Sequence, residues 1–158
     1  MTDKTDMTLE IQVAVSGHVD QSGAIAANAV YKQTGSNPRS SGVVDREGVI
    51  DLTKMDFDCD KYNCRTDIII NLTGGLTDAN GGRIEVTFPS DPQQAVSIIP
   101  PEGGSQTEIV PVSGGNPCQL ILDDRDDDSQ TYDYCLKPVA VLSSGSRSFQ
   151  LDPRIINR

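Results

Sequence analysis

Thr8-Leu9-Glu10-Ile11-Gln12-Val13-Ala14-Val15 is the stretch that decides the fold. Leu9, Ile11, Val13 and Val15 take every second position, and Thr8, Glu10, Gln12 and Ala14 fill the places between. A strand turns successive side chains to opposite faces, so this period of two reads as a strand with one face buried. The same period returns twice. Ile68, Ile70 and Leu72 alternate with Asp67, Ile69, Asn71 and Thr73, and Ile84, Val86 and Phe88 alternate with Arg83, Glu85 and Thr87. Leu9, Ile11, Val13, Ile68, Ile70, Leu72, Ile84, Val86 and Phe88 are therefore the expected core. No window of about 11 residues or more holds a helical apolar stripe between Gly or Pro interruptions. The Ala-rich stretch from Ala24 is read as a strand over 25–32, and further short strands are expected at 48–52, 94–99, 107–112, 118–123, 131–142 and 147–151.

Turn signals separate these segments. Gly pairs stand at 74–75, 81–82, 103–104 and 114–115, and Asp78-Ala79-Asn80-Gly81-Gly82 closes the loop after the Ile-rich strand. About nine short strands at this spacing predict an all-β protein, a two-layer antiparallel β-sandwich. Pro111 and Pro138 mark edges or bulges, since proline cannot donate to a ladder. With 158 residues the chain suits one domain. Residues 1–7 read as a flexible N-terminus and 8–158 as a single sandwich. No internal repeat is evident.

Composition excludes several functions. Thirteen Lys plus Arg stand against 23 Asp plus Glu, a net charge of −10, and 18 of the acids are Asp. Asp favours turns and caps, which fits a loop-rich strand protein. Such a charge argues against nucleic acid as a partner, because phosphate contacts need a basic face. An anionic membrane surface is disfavoured for the same reason. No apolar run approaches the roughly 20 residues of a membrane span. Met1-Thr2-Asp3-Lys4-Thr5-Asp6 lacks the apolar core of a signal peptide, so the expected location is cytoplasmic. Cys59, Cys64, Cys118 and Cys135 are an even count, compatible with two disulfides or a local Cys59–Cys64 bridge, and without an export signal free thiols are the expectation.

One hairpin can be placed in register. A turn centred between Asp126 and Asp127 sets Cys118 opposite Cys135, Leu120 opposite Asp133 and Leu122 opposite Thr131. Opposed Cα atoms lie roughly 4.5–5.5 Å apart, so the two thiols would come within bridging range.

Five Asp and one Arg make up 123–128. Asp124, Asp126, Asp127 and Asp128 are a candidate weak cation site, since clustered carboxylates suit a hard ion such as Ca²⁺. The competing reading is an exposed, mutually repelling hairpin tip. Asp56-Phe57-Asp58-Cys59-Asp60 has the spacing that opens an EF-hand loop. Lys61 stands where that loop needs Gly, and Asp67 stands where it needs Glu. Cys59 and Cys64 enclose four residues but have no matching second pair for zinc. His18 is the single histidine, so any Ser–His–Asp or Cys–His chemistry must use it. It reads instead as an exposed loop residue. There is no G-x-S-x-G elbow and no phosphate-cradling Gly motif. Asn71-Leu72-Thr73 is a formal glycosylation acceptor, read as chance within a strand. No catalytic residue and no cofactor are assigned.

The C-terminal third carries a family resemblance. Leu122-Asp123-Asp124-Arg125-Asp126-Asp127, then Tyr132-Asp133-Tyr134-Cys135-Leu136, then Phe149-Gln150-Leu151-Asp152-Pro153-Arg154-Ile155-Ile156-Asn157 resembles the small bacterial family called DP-EP. The resemblance implies a compact immunoglobulin-like domain with no assigned activity, and it brings no catalytic residues. The sequence thus predicts a non-catalytic domain with a binding or structural role, its partner a protein or a small polar ligand. Two alternatives stand beside it: a calcium-dependent binding module built on the Asp-rich loops, and a carboxylate-based hydrolase.

Overall fold

Thr5–Val19 forms the long strand β1, in which Met7, Leu9, Ile11, Val13 and Val15 are buried. The strand begins at Thr5, ahead of residue 8, where the sequence placed the start of the domain. The computed structural model describes residues 3–100, 109–125, 131–151 and 154–156. Beyond β1 the order is β2 (Ile25–Asn37), β3 (Ile50–Asp51), a 3-10 turn (Leu52–Lys54), β4 (Tyr62–Gly74), β5 (Leu76–Thr77) and β6 (Arg83–Thr87). The one-turn helix α1 (Pro92–Ala95) follows, then β7 (Val96–Ile99), β8 (Ile109–Ser113), β9 (Gln119–Asp124), β10 (Thr131–Leu136), β11 (Val139–Leu142), β12 (Gly145–Ser148) and β13 (Arg154–Ile156). The protein is all-β, with thirteen strands rather than nine among the described residues. The expected strand at 131–142 is two strands, broken at Lys137-Pro138, where proline offers no N–H to a ladder.

The strands form two sheets. One has nine members in the order β12-β11-β6-β5-β1-β4-β9-β8, with β2 paired to β1 as well. The other has four, in the order β3-β13-β10-β7. The wholly antiparallel expectation is corrected here. β1 runs parallel to both β4 and β5, and β13 runs parallel to β3. The physical reason is that alternation fixes which face a side chain takes, not which way a neighbouring strand runs. A parallel partner needs only a long return connection, and residues 20–61 provide one between β1 and β4.

Register explains the core. Leu9, Ile11 and Val13 stand beside Ile68, Ile70 and Leu72, while Ile68 and Ile70 stand opposite Leu122 and Leu120. All nine expected core residues are at most 7% exposed. Each such side chain contributes about 1.5–3 kcal/mol when fully buried. Tyr132, Tyr134, Leu136 and Ile155 of the smaller sheet belong to the same apolar cluster. Tyr134 also donates its hydroxyl hydrogen to the Gly48 carbonyl at 2.8 Å.

The β9–β10 hairpin does not exist. β9 lies between β4 and β8, whereas β10 lies between β13 and β7 in the other sheet. Cys135 therefore stands opposite Ser97, not Cys118. The hairpin register would have set Leu120 and Leu122 against Asp133 and Thr131. In β9 they meet Ile70 and Ile68 instead, which buries apolar surface on both sides.

Candidate functional site at the loop end of the larger sheet

Three of the abundant aspartates share one local structure. Asp20-Gln21-Ser22-Gly23-Ala24, Asp45-Arg46-Glu47-Gly48-Val49 and Asp78-Ala79-Asn80-Gly81-Gly82 are five-residue loops of the form D-x-x-G-x. In each, one carboxylate oxygen of the Asp accepts from the amides two and four residues on, at 2.8–2.9 Å. In each, the glycine amide donates back to the Asp carbonyl, and the Asp amide donates to the carbonyl of the fifth residue. The glycine has a positive φ, between 82° and 92°, which a side chain would oppose. Asp therefore starts the turn and Gly completes it, a three-residue hairpin loop with a left-handed third residue. The repeat was readable in the sequence as Asp followed three places later by Gly. It was missed because no longer period connects the loops.

Two of these loops, 20–24 and 78–82, meet at one end of the larger sheet. With the end of β1 they line an open hollow of about 640 Å³ containing His18, Asp20, Gln21, Ser22, Thr77 and Asp78. A second hollow of about 360 Å³ shares Val19, Asp20, Gln21 and Asp78, and adds Arg83 and the β11–β12 turn at Ser143-Ser144. The Ser22 hydroxyl, and then the Ala24 amide, hold the Asp20 carboxyl below the ordinary carboxylate range. It is thus fully ionised at neutral pH while its loop is held rigid. A third cleft, about 260 Å³ between Phe88, Pro92 and Pro117, carries no titratable group.

His18 is exposed, but it lies inside β1, beside Ala26 and Thr77, not in a loop. The exposed-tip reading of the acidic run is corrected at Asp124. That residue is 2% exposed at the end of β9, between Thr66 and Ile109, and not at an exposed tip. Asp126, Asp127 and Asp128 lie outside the described residues. Among the described residues no three His, Cys, Asp or Glu side chains gather as a metal site. Asp58 accepts from the Asp60 amide and pairs with Lys61 at 3.7 Å, so it turns into its own loop. Cys59 and Cys64 are exposed free thiols, Cys118 is half-buried and Cys135 is buried. Asn71 is half-buried, and its side-chain oxygen accepts from Gln119 at 2.9 Å.

The outer face of the larger sheet holds a carboxylate pair that sequence reasoning did not single out. Asp67 of β4 stands directly opposite Asp123 of β9. Partial burial, then the nearby Asp123 and Asp6, raise the Asp67 carboxyl above its ordinary range. Asp123 accepts from Arg65 and from Arg125, each at 3.2 Å. One carboxyl is thus pushed toward its neutral form while its neighbour is held by two guanidinium groups. Reading that juxtaposition from sequence required the β4–β9 register, which alternation alone does not give.

No family model and no curated protein matches the chain. Among solved structures it is similar to the inclusion body protein PixA from Burkholderia cenocepacia J2315, at 8% identity. That likeness covers 100% of this chain and 99% of the other, with a TM-score of 0.32. Among the described residues no helix is long and apolar enough to cross a membrane.

Proposed function

We propose that this chain is a non-catalytic, cytoplasmic recognition domain, built on the immunoglobulin-like sandwich plan that its resemblance to the DP-EP family implies. Its loop end holds a polar partner that carries cationic groups. One observation carries the reading: the hollow at His18–Ser22 and Thr77–Ala79 is walled by two loops that are each pinned by their own aspartate. Loops fixed in this way lose little conformational entropy on binding, so more of the contact energy appears as affinity. The ionised Asp20 and the net charge of −10 favour cationic groups and speed their approach. The same hydrogen bonds favour recognition over catalysis, because Asp20 and Asp78 serve as loop caps.

The test is an NMR titration of the isotope-labelled chain with a short lysine-rich peptide. Amide shifts should cluster at 18–22 and 77–79 and weaken with added salt. Shifts confined to 56–60 and 123–125, or none at millimolar peptide, would overturn the reading.

A further inference from the structure

Among the described residues β2 pairs with β1 along one edge and with no other strand. The two edges of β2 are used differently along its length. Tyr31 donates its amide hydrogen to the Arg46 carbonyl at 3.1 Å, on the side away from β1. Gln33 also ties that side down, donating to the Ser40 carbonyl and accepting from the Val43 amide. From Tyr31 onward the edge is covered by the 40–46 segment. Alternate residues of a strand direct their backbone groups to the same side, so Ile25, Ala27 and Ala29 face outward with Tyr31. The open window is thus 25–30, closed at one end by the 20–24 turn and at the other by Arg46.

Exposed edges are normally guarded by Lys, Pro or a bulge. Residues 24–31 read Ala-Ile-Ala-Ala-Asn-Ala-Val-Tyr, with no charge, no proline and four alanines. The one irregularity in the β1–β2 ladder falls at Glu10/Ile11, opposite the covered half. Val30 is 48% exposed within the window. At β2 the larger sheet therefore ends in an uncharged, small-residue edge, in a molecule whose −10 charge elsewhere opposes association.

We infer that this edge binds a second copy of the chain, β2 against β2, antiparallel about a two-fold axis at Ala27. An isologous pair must match outward-facing residues with outward-facing residues. Within the window that sets Ala27 opposite its own copy and Ile25 opposite Ala29, twice. Three such pairs exchange about six backbone hydrogen bonds. On the solvent face Ala26 meets Asn28 and Val30 meets Ala24, small against large without a clash. Charge selects the same arrangement. Lys32 and Arg46, just past the covered end, come against the second copy's 20–24 turn with its ionised Asp20. The pairing closes after two copies, because an isologous contact uses the same window on both. The inference is independent of the loop-end reading, since it needs no ligand.

The test is sedimentation velocity on the full chain from micromolar to hundreds of micromolar, without peptide. The wild type should move from a species of 17.0 kDa toward twice that mass. Ala27→Pro removes an outward N–H and leaves the β1 side of the ladder intact, so it should stay monomeric. Asn28→Lys sets a cation in the window and should also stay monomeric if the proline variant fails to fold. Ala27→Cys, in a chain with Cys59 and Cys64 changed to Ser, should form a symmetric disulfide-linked dimer under mild oxidation. A wild type that remains 17.0 kDa throughout overturns the inference. So does a dimer that persists unchanged in folded Asn28→Lys.

Discussion

Asp67 shows how one residue records its surroundings. Like charges directly opposite on a sheet repel, and Asp67 faces Asp123 from a half-buried position. Its carboxyl is raised by burial first, then by Asp123 and Asp6. A carboxyl raised in the folded state leaves stability intact below the unfolded value of about 3.9. That stability is lost as pH rises through the folded value. Asp67→Asn should therefore stabilise the fold at pH 7, by roughly 0.2–1 kcal/mol given its partial exposure. The gain should vanish near pH 3. Urea unfolding of both chains at the two pH values measures it, and a variant less stable at pH 7 would show that Asp67 is held by attraction instead. The acid tip is the opposite lesson. Asp124 looked exposed because its neighbours in sequence are charged, yet it closes a strand whose alternate residues Leu120 and Leu122 are buried. Alternation from Leu120 and Leu122 onward already put Asp124 on the inner face. The acidic run masked that signal.

At the scale of elements, the three strong alternations were legible and their partners were not. Leu9 to Val15 fits a buried face whether its neighbour runs parallel or antiparallel, so β4 beside β1 could not be read. Cys118 and Cys135 flank a turn-rich run in a plausible hairpin, yet β9 and β10 are shared between two sheets. Side-chain fit was the available clue, since the hairpin opposed Leu to Asp and Thr. The loops at Asp20, Asp45 and Asp78 were legible in principle, and they carry the candidate site. Their common design makes a test possible at a place free of other contacts. Gly81 has φ of 82°, and a Cβ built there meets nothing within 4 Å. Gly81→Ala should cost about 1–2 kcal/mol through backbone strain alone. Gly74 differs, because a Cβ there would lie 2.3 Å from the Val15 carbonyl oxygen, where β4 gives way to β5. Gly74→Ala should therefore be the more destabilising of the two by thermal melting. Equal costs would mean that the close approach of β4 to β1 relaxes without penalty.

The whole molecule poses a question about cooperativity. Its two sheets share one apolar cluster, in which Tyr132 and Ile155 of the smaller sheet join Leu9 and Ile68 of the larger. A single shared core should open as a unit, since neither sheet can keep its inner face dry alone. The thiols report on each part separately. Cys59 and Cys64 are exposed and should react at once with a thiol reagent at pH 8. Cys118 precedes β9 of the larger sheet, half-buried with its sulfur 3.7 Å from the Val86 carbonyl oxygen. Cys135 is 7% exposed in β10 of the smaller sheet. In native buffer both should react slowly, Cys118 the faster of the two, because local opening needs less than global opening. In rising urea, equilibrium protection of Cys118 and of Cys135 should be lost at one midpoint, shared with the loss of strand signal in circular dichroism. Mass spectrometry of pulse-labelled chains resolves each site. An earlier midpoint for Cys135 would show the four-stranded sheet opening by itself, with the larger sheet holding its own core from Leu9, Ile68, Ile70 and Leu122.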